Sequence, residues 1–476
     1  MTLEQVPTSP VHAVSDDALG DLDAVGVAAA VAAGDVSALE LVEAAVARAE
    51  HVNGTLNAIQ TPDFDRARDL AAGPLSGRLA GVPSFVKDNT AVAGLTTDNG
   101  SLAMRSRPAT ADDPFTEQLR STGLVVLGKT TLPEFGFNAS TEYETLPPTR
   151  NPWNPAFSPG GSSGGSAALV AAGVVPIAHA NDGGGSIRIP AAACGLVGLK
   201  PTRGRVVPAA ESSSLPVDIV SNGVVTRTVR DTAHFLAGTQ EHVPAKGLKP
   251  LGLVEGPSDR RLRIGLVLDS VTGTPTDDDG RRVVLETVDL LTSLGHAVEE
   301  VDLPADADAF LDAFKHYWSL LAFSTHRFGK RVMHSPDFDG TQVDALTRGL
   351  SAQFARSFWR TPRTIAVLKK SEKLYREAFS GVDLVLSPTL GYVTPRLGHL
   401  NPAAGFETHF QRLIQYAAFT PLNNAAGSPA ISLPLGRSAE GMPVGAHFSA
   451  LHGDEQTLLE IAYELEAARP FARIWD

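Results

Sequence analysis

Two clusters of glycine and serine lie within residues 154–195, and they restrict the fold of this chain more than any other feature. The first, "GGSSGGS", begins at Gly160, and the second, "DGGGSIR", begins at Asp182. Glycine at this density costs conformational entropy on folding and contributes no side-chain packing. We therefore interpret both clusters as loops that serve the chemistry of their serines.

Short apolar runs alternate with helical patterns along the rest of the chain. The runs at 82–86, 262–269 and 382–389 are bounded by turn residues and predict buried strands, and residues 279–294 have the spacing of a helix. Strands that alternate with helices predict an α/β fold with a mixed, largely parallel central sheet covered by helices on both faces. Further predicted elements are a helix capped by Ser37 and Glu40, a strand followed by a turn and a short helix at 124–136, a helix at 165–172, strands at 174–178 and 296–303, and a turn plus strand at 419–436.

The chain is predicted to consist of a polar arm at 1–18 and a single domain at 19–476. Residues 304–380 have an irregular helical pattern, which we interpret as a helical cover over the sheet. Core packing is the usual role of aromatic residues in such a region. The alternative is that some of them line an apolar substrate pocket. The aromatic residues in question are Tyr317, Trp318, Phe323, Phe358 and Trp359.

Charge and cysteine content exclude several classes of function. The formal net charge of −13 argues against binding to nucleic acid or to an anionic membrane surface. The single cysteine, Cys194, excludes an intrachain disulfide, and the scattered histidines form no metal-binding motif, so we expect neither a metal nor a cofactor. The longest apolar run, at 25–33, is too short to cross a bilayer, and the first residues lack a secretory signal pattern. We therefore expect a cytoplasmic protein.

The residues of the second cluster are more typical of a catalytic loop than of a phosphate-binding loop. Neither cluster has the lysine of a P-loop or the G-x-G-x-x-G spacing of a dinucleotide loop. Consecutive glycines allow several backbone N–H groups to point into one small volume, where they can stabilise the oxyanion of a tetrahedral intermediate. Ser186, directly after three glycines, is then a candidate nucleophile beside its own oxyanion hole. The alternative is a loop that only turns tightly.

A serine nucleophile requires a base, and two residues are candidates. His179 lies at the end of an apolar run, where a histidine is more often a hydrogen-bonded structural residue. Lys87 follows the apolar run 82–86, where burial would lower its pKa and favour a neutral amine. The alternative is that its ammonium reaches solvent beside Asp88. The tetrapeptide "SFVK" also matches S-x-x-K, but the accompanying S-D-N and K-T-G elements are absent, so we discard that motif.

Three segments, in this order, resemble the amidase signature family. They are "GVPSFVKDN" around Lys87, "SPGGSSGGSAALVAAG" in the first cluster and "DGGGSIRIPAAACGLVGLKPTRGRV" around Ser186. The later segments "GVVTRTVRDTAHFLAG" and "NNAAGSPAISLPLG" are also similar to that family. The resemblance covers about 19–471 and is weakest at 304–380. It implies the amidase signature fold, with a signature core at about 80–235.

The resemblance also implies a Ser–cis-Ser–Lys triad. Ser186 is the nucleophile, Ser162 is the bridging serine after a cis peptide bond, and Lys87 is a neutral base. These assignments imply roles for the neighbouring residues: backbone N–H groups of Gly183, Gly184, Gly185 and Ser186 form the oxyanion hole, Ser163 supports the loop, and Asp182 pairs with Arg188.

The implied activity is that of a serine hydrolase that cleaves the C–N bond of small amides. The family commonly has threonine where this chain has Asn181, and the form found here is most similar to bacterial amidases. We therefore expect linear, cyclic or aryl amides as substrates. Carbamates (urethanes) and esters are alternatives because the same acyl-enzyme chemistry cleaves them.

Two other functions are disfavoured by particular residues. The glutaminase subunit of a tRNA-dependent amidotransferase typically has a polar residue where this chain has Ile189. A non-catalytic scaffold would be expected to lose triad residues, yet Lys87, Ser162 and Ser186 are all present. The expected partner is a small-molecule substrate, and a homodimer is left open.

Overall fold

The computed structural model describes residues 8–208, 212, 215–301 and 307–476, in which helices and strands alternate. The helices are α1 (Ala24–Ala33), α2 (Ala38–Leu56), α3 (Phe64–Ala71), α4 (Pro114–Ser121), α5 (Gly164–Ala171), α6 (Arg188–Cys194), α7 (Val229–His242), α8 (Asp278–Ser293), α9 (Ala307–Val332), α10 (Ala345–Ala355), α11 (Thr361–Ala378), α12 (Phe406–Tyr416), α13 (Pro421–Ala426) and α14 (Glu455–Ala468). The strands are β1 (Ile59–Pro62), β2 (Pro83–Lys87), β3 (Val125–Thr130), β4 (Ile177–Asp182), β5 (Val197–Lys200), β6 (Ser221–Thr226), β7 (Arg263–Leu266), β8 (Ala297–Glu300), β9 (Leu384–Pro388), β10 (Ala430–Arg437) and β11 (Pro443–Ala450).

The central sheet is mixed, in the order β4-β6-β5-β10-β11-β9-β7-β8. Each pairing from β4 through to β9 is antiparallel, whereas β9, β7 and β8 run parallel to one another. The α/β class is confirmed, but the prediction of a largely parallel sheet is wrong.

The error has a topological cause. Strands β4 and β5 are joined through helix α6 and run in the same direction, as a strand–helix–strand connection predicts. They are not neighbours, however, because β6 lies between them and runs antiparallel to both. Strand β10 pairs antiparallel with β5 on its other side, and the short turn at 438–442 returns the chain into β11 as a hairpin.

A second sheet, of three strands, places Lys87 beside the edge of the central sheet. Its order is β1-β3-β2, and all residues of β2 are buried. The apolar run predicted at 82–86 therefore forms a strand, and Lys87 is its last residue. The hydroxyl of Ser84 donates to the carbonyl of Ile177 at 3.0 Å, which fixes β2 against β4.

The helices α9, α10 and α11 form the predicted cover, described from residue 307 onward. Core packing is confirmed for Tyr317, which is buried and donates its hydroxyl to the carbonyl of Val217 at 2.7 Å. The pocket alternative is correct for Trp318, which lines a cavity beneath α9. Neither interpretation fits Phe358 and Trp359, whose side chains are 60% and 66% exposed because they lie in the turn before α11.

Most local predictions agree with the structure, although the strand predicted at 174–178 begins only at Ile177, as β4. Ser37 and Glu40 form a reciprocal capping box at the start of α2. The segment at 419–436 differs, because a short helix, α13, takes the place of the predicted turn before β10. Of the strand predicted at 296–303, Ala297–Glu300 form β8, and the last two predicted residues lie outside the described ranges. No helix in the described parts of the chain has the length and hydropathy of a membrane span.

Candidate active site

Lys87 is fully buried at the end of β2 and faces two polar side chains. Its Nζ lies 2.7 Å from Ser162 Oγ and 2.7 Å from Asn181 Oδ1. The alternative in which this lysine reaches solvent is therefore wrong. Asp88, the neighbour considered in that alternative, pairs instead with Lys129 at 2.7 Å.

Burial changes the acid–base behaviour of Lys87. It lowers the pKa of the lysine to about 7, and the carboxylate of Asp182 only partly opposes that effect. A large fraction of the side chain is therefore the neutral amine near pH 7. A neutral amine has two N–H groups and one lone pair. Donation of one N–H to Asn181 leaves the lone pair available to the hydroxyl of Ser162.

Strand β4 presents two side chains to Lys87. His179 and Asn181 are two residues apart, so they project from the same face of the strand. The Nδ1 of His179 accepts the backbone N–H of Lys87 at 3.2 Å, while Asn181 accepts from its Nζ. Burial lowers the pKa of His179 to about 3, which keeps the ring neutral and makes it a structural residue. In the sequence, Asn181 stands out only as a departure from the usual threonine.

The glycines of the first cluster are required by close approaches of the backbone. A Cβ on Gly161 would lie 2.8 Å from the carbonyl oxygen of Asn138, and one on Gly165 would lie 2.5 Å from Thr131 Oγ1. The Gly161–Ser162 peptide bond is cis. The cluster thus holds Ser162 between Lys87 and the cavity, immediately before helix α5.

The second cluster opens onto the same cavity. Gly183, Gly184 and Ser186 all line it, together with Ser162. Ser186 is half-buried, and its hydroxyl makes no hydrogen bond to any residue that the structure describes. The cavity has a volume of about 230 Å³ and mostly apolar walls, which include Phe135, Phe137, Phe314, Trp318, Leu413 and Phe419.

The backbone N–H groups of this loop differ in whether they already donate a hydrogen bond within the protein. The N–H groups of Gly183, Gly184 and Ser186 have no acceptor among the described residues. The N–H of Gly185 instead donates to Asp182 Oδ1 at 2.7 Å, so Gly185 must be removed from the set of oxyanion donors expected from the sequence. Its glycine identity has another cause, because φ is +133° and a Cβ would lie 2.3 Å from Thr420 Oγ1.

A buried ion pair stabilises the loop of the second cluster. Arg188 donates to both carboxylate oxygens of Asp182, at 2.9 and 3.0 Å, and both side chains are inaccessible to solvent. Burial alone would raise the pKa of Asp182, but Arg188 more than offsets this and holds that pKa well below its ordinary value. Asn424 accepts from Arg188 at 2.7 Å and donates to Asp182 at 2.8 Å. Ser163 adds a weak contact of 3.4 Å to the carbonyl of Asn181.

Sequence reasoning gave Asn424 no role, although it lies within a segment that resembles the family. The signal that could have identified it is a pair of adjacent amides, Asn423 and Asn424, in an otherwise small and apolar helix. Such amides are rarely buried without hydrogen-bond partners. Both contact Arg188.

Comparison with known proteins identifies the family. A family model described as amidase matches residues 40–459. The chain belongs to the amidase signature family. AmiC of Mycobacterium tuberculosis, which is named as an amidase, is 49% identical over 468 residues, with 98% of each chain covered. The 6-aminohexanoate-cyclic-dimer hydrolase of Paenarthrobacter ureafaciens is 35% identical over 477 residues, covering 94% of this chain and 95% of that protein.

Solved structures of the family have the same fold. A 6-aminohexanoate cyclic dimer hydrolase complexed with substrate superposes with a TM-score of 0.83 at 32% identity, covering 96% of this chain and 98% of that one. A bacterial aryl acylamidase of the amidase signature family gives 0.83 at 26% identity, with the same coverage. The protein is accordingly an amidase, a hydrolase acting on carbon–nitrogen bonds. No group of three or more His, Cys, Asp or Glu side chains suited to a metal occurs in the described residues.

Replacing Asp182 with asparagine should destabilise the protein strongly, because it leaves the buried guanidinium of Arg188 without its counter-charge. We expect a loss of about 3–5 kcal/mol in the free energy of unfolding, measured by chemical denaturation. The matched control is Glu372→Gln on α11, where the partner Arg376 is exposed. That change should cost at most about 1 kcal/mol. Equal losses in the two variants would contradict a bracing role for the buried pair.

Proposed function

We propose that this amidase cleaves small amides through an acyl-enzyme, with Ser186 as nucleophile, Ser162 as proton relay and Lys87 as base. The observation that carries the proposal is the 2.7 Å contact between Lys87 Nζ and Ser162 Oγ at a lysine without solvent access. A hydroxyl is a weak nucleophile until a base removes its proton. The buried amine supplies that base near neutral pH.

The proton moves in one direction during attack. Neutral Lys87 accepts the proton of Ser162, and Ser162 accepts the proton of Ser186 as the Ser186 oxygen bonds to the carbonyl carbon of the amide. The carbonyl oxygen becomes an oxyanion. Its donors are the free N–H groups of Gly183, Gly184 and Ser186 at the cavity wall.

The proton then returns to the leaving group. Lys87, now an ammonium, passes its proton through Ser162 to the amine nitrogen, and the C–N bond breaks to leave an ester on Ser186. Water enters the cavity, loses a proton along the same route and attacks that ester. This releases the carboxylic acid and restores the free hydroxyl of Ser186. The protein contributes positioning, a base of suitable pKa and fixed dipoles, with no other reactant than water.

The apolar cavity supports small linear, cyclic or aryl amides as the substrate class. A volume of about 230 Å³ accommodates a body of modest size, and phenyl and alkyl side chains form most of the wall. Relatives named as a cyclic-dimer hydrolase and an aryl acylamidase are compatible with this range. Carbamates and esters remain alternative substrates because the acyl-enzyme route is the same for them.

Changing Ser186 to alanine should reduce kcat for an anilide substrate by roughly 10⁴-fold or more, since the nucleophile is lost while the oxyanion donors remain. The melting temperature should change by only a few degrees because the half-buried hydroxyl makes no hydrogen bond in the described structure. The control is Ser293→Ala, at an exposed serine at the end of α8. Retention of activity in Ser186→Ala would exclude it as the nucleophile.

The rate should depend on pH through Lys87. Its protonated form cannot accept the proton of Ser162, so kcat/KM should be low in acid and rise through an apparent pKa of about 7. Lys87→Met should be inactive at every pH, because it keeps the apolar stem without the base. The measurement is a profile of kcat/KM from pH 5 to pH 10. An acid limb near pH 4 would instead identify a carboxylate as the base.

A further inference from the structure

Lys315 contributes the one charged side chain to the cavity wall, among the residues that the structure describes. The remaining walls are apolar or carry hydroxyl and amide groups. A cation beside apolar walls is screened less than in water, so it can select a ligand by charge.

The helix α9 sets the orientation of this lysine. Leu311, Lys315 and Trp318 are spaced by four and three residues, so they share one face of the helix, and all three line the cavity. Lys315 thus lies between two apolar side chains, one turn from each. Phe314, the preceding residue, approaches Gly184 of the nucleophile loop, since a Cβ built there lies 3.5 Å from its ring. The lysine therefore belongs to the helix that covers the reacting end of the cavity.

The ammonium of Lys315 has no protein counter-ion within the described ranges, and it donates no side-chain hydrogen bond there. Asp312, about one turn earlier on the same helix, pairs with Arg360. Lys315 is half-buried, and the three fully buried lysines around the site differ from it in having partners. Lys87 and Lys200 both donate hydrogen bonds, and Lys129 pairs with Asp88.

We propose that Lys315 binds a carboxylate of the substrate at the cavity wall, so that the preferred amides have an apolar body with an anionic terminus. This inference rests on the proposed function, because it places the scissile amide at Ser186. Charge attraction is screened less beside apolar walls than in water, so an anionic end is favoured and a cationic end is repelled. A neutral end gains nothing from the lysine. The class we infer is thus the half-amides of dicarboxylic acids.

Three primary amides with the same six-carbon acyl chain test this specificity: adipic acid monoamide (anionic end), hexanamide (neutral end) and 6-aminohexanamide (cationic end). Ammonia release gives kcat/KM for each. We expect the wild-type ratio of adipic monoamide to hexanamide to fall roughly fivefold in Lys315→Met, which keeps the apolar stem. Lys315→Arg should retain most of the ratio, and Lys315→Glu should favour 6-aminohexanamide. The control is Lys370→Met, an exposed lysine of α11, which should keep the wild-type ratio.

A binding measurement separates this inference from the proposed function. Calorimetric titration of adipic monoamide and hexanamide into Ser186→Ala, with and without Lys315→Met, reports recognition without turnover. If Ser186→Ala still releases ammonia from adipic monoamide but binding depends on charge through Lys315, the proposed function fails and the carboxylate site stands. If Lys315→Met leaves the two amides in their wild-type ratio, in both turnover and binding, the inference about Lys315 is wrong.

Discussion

The burial of one amine is the constraint on which the rest of this structure depends. Lys87 ends a fully buried strand, and its side chain is inaccessible to solvent. A charged ammonium in that position is costly, and the protein responds by lowering the pKa to about 7 and by supplying two hydrogen-bond partners, Ser162 and Asn181. In the proposed mechanism, the environment that penalises the cation also supplies the base.

The two glycine clusters are required because the backbone must approach this amine closely. In the first cluster, Gly161, Gly164 and Gly165 pack against residues 131–141, where a Cβ would collide, and the cluster so holds Ser162 within reach of Lys87. In the second cluster, the buried ion pair of Asp182 and Arg188 stabilises the loop. The residues whose N–H groups lack an acceptor in the described structure, Gly183, Gly184 and Ser186, line the cavity. The entropy lost by ordering these glycines is offset by a rigid, pre-organised site.

Local sequence patterns predicted the parts of this protein that depend on neighbours in the chain. The strand that ends at Lys87, the capping box at Ser37 and the helix after the first cluster are of that kind. The family resemblance added the position of Ser162. The order of strands could not be predicted, because the insertion of β6 between β4 and β5 is set by long-range pairing. The roles of Asn181 and Asn424 were missed for the same reason, since their partners lie 94 and 242 residues away.

The central claim is that Lys87 is a neutral amine at the pH where the enzyme works. The direct test is the ¹³Cε chemical shift of Lys87 in lysine-labelled protein, followed as a function of pH and assigned by its absence in Lys87→Met. We predict a titration midpoint near 7. A midpoint at the ordinary value for lysine, about 10.4, would show that the buried side chain stays an ammonium, and it would contradict the proposed role of Lys87 as the base.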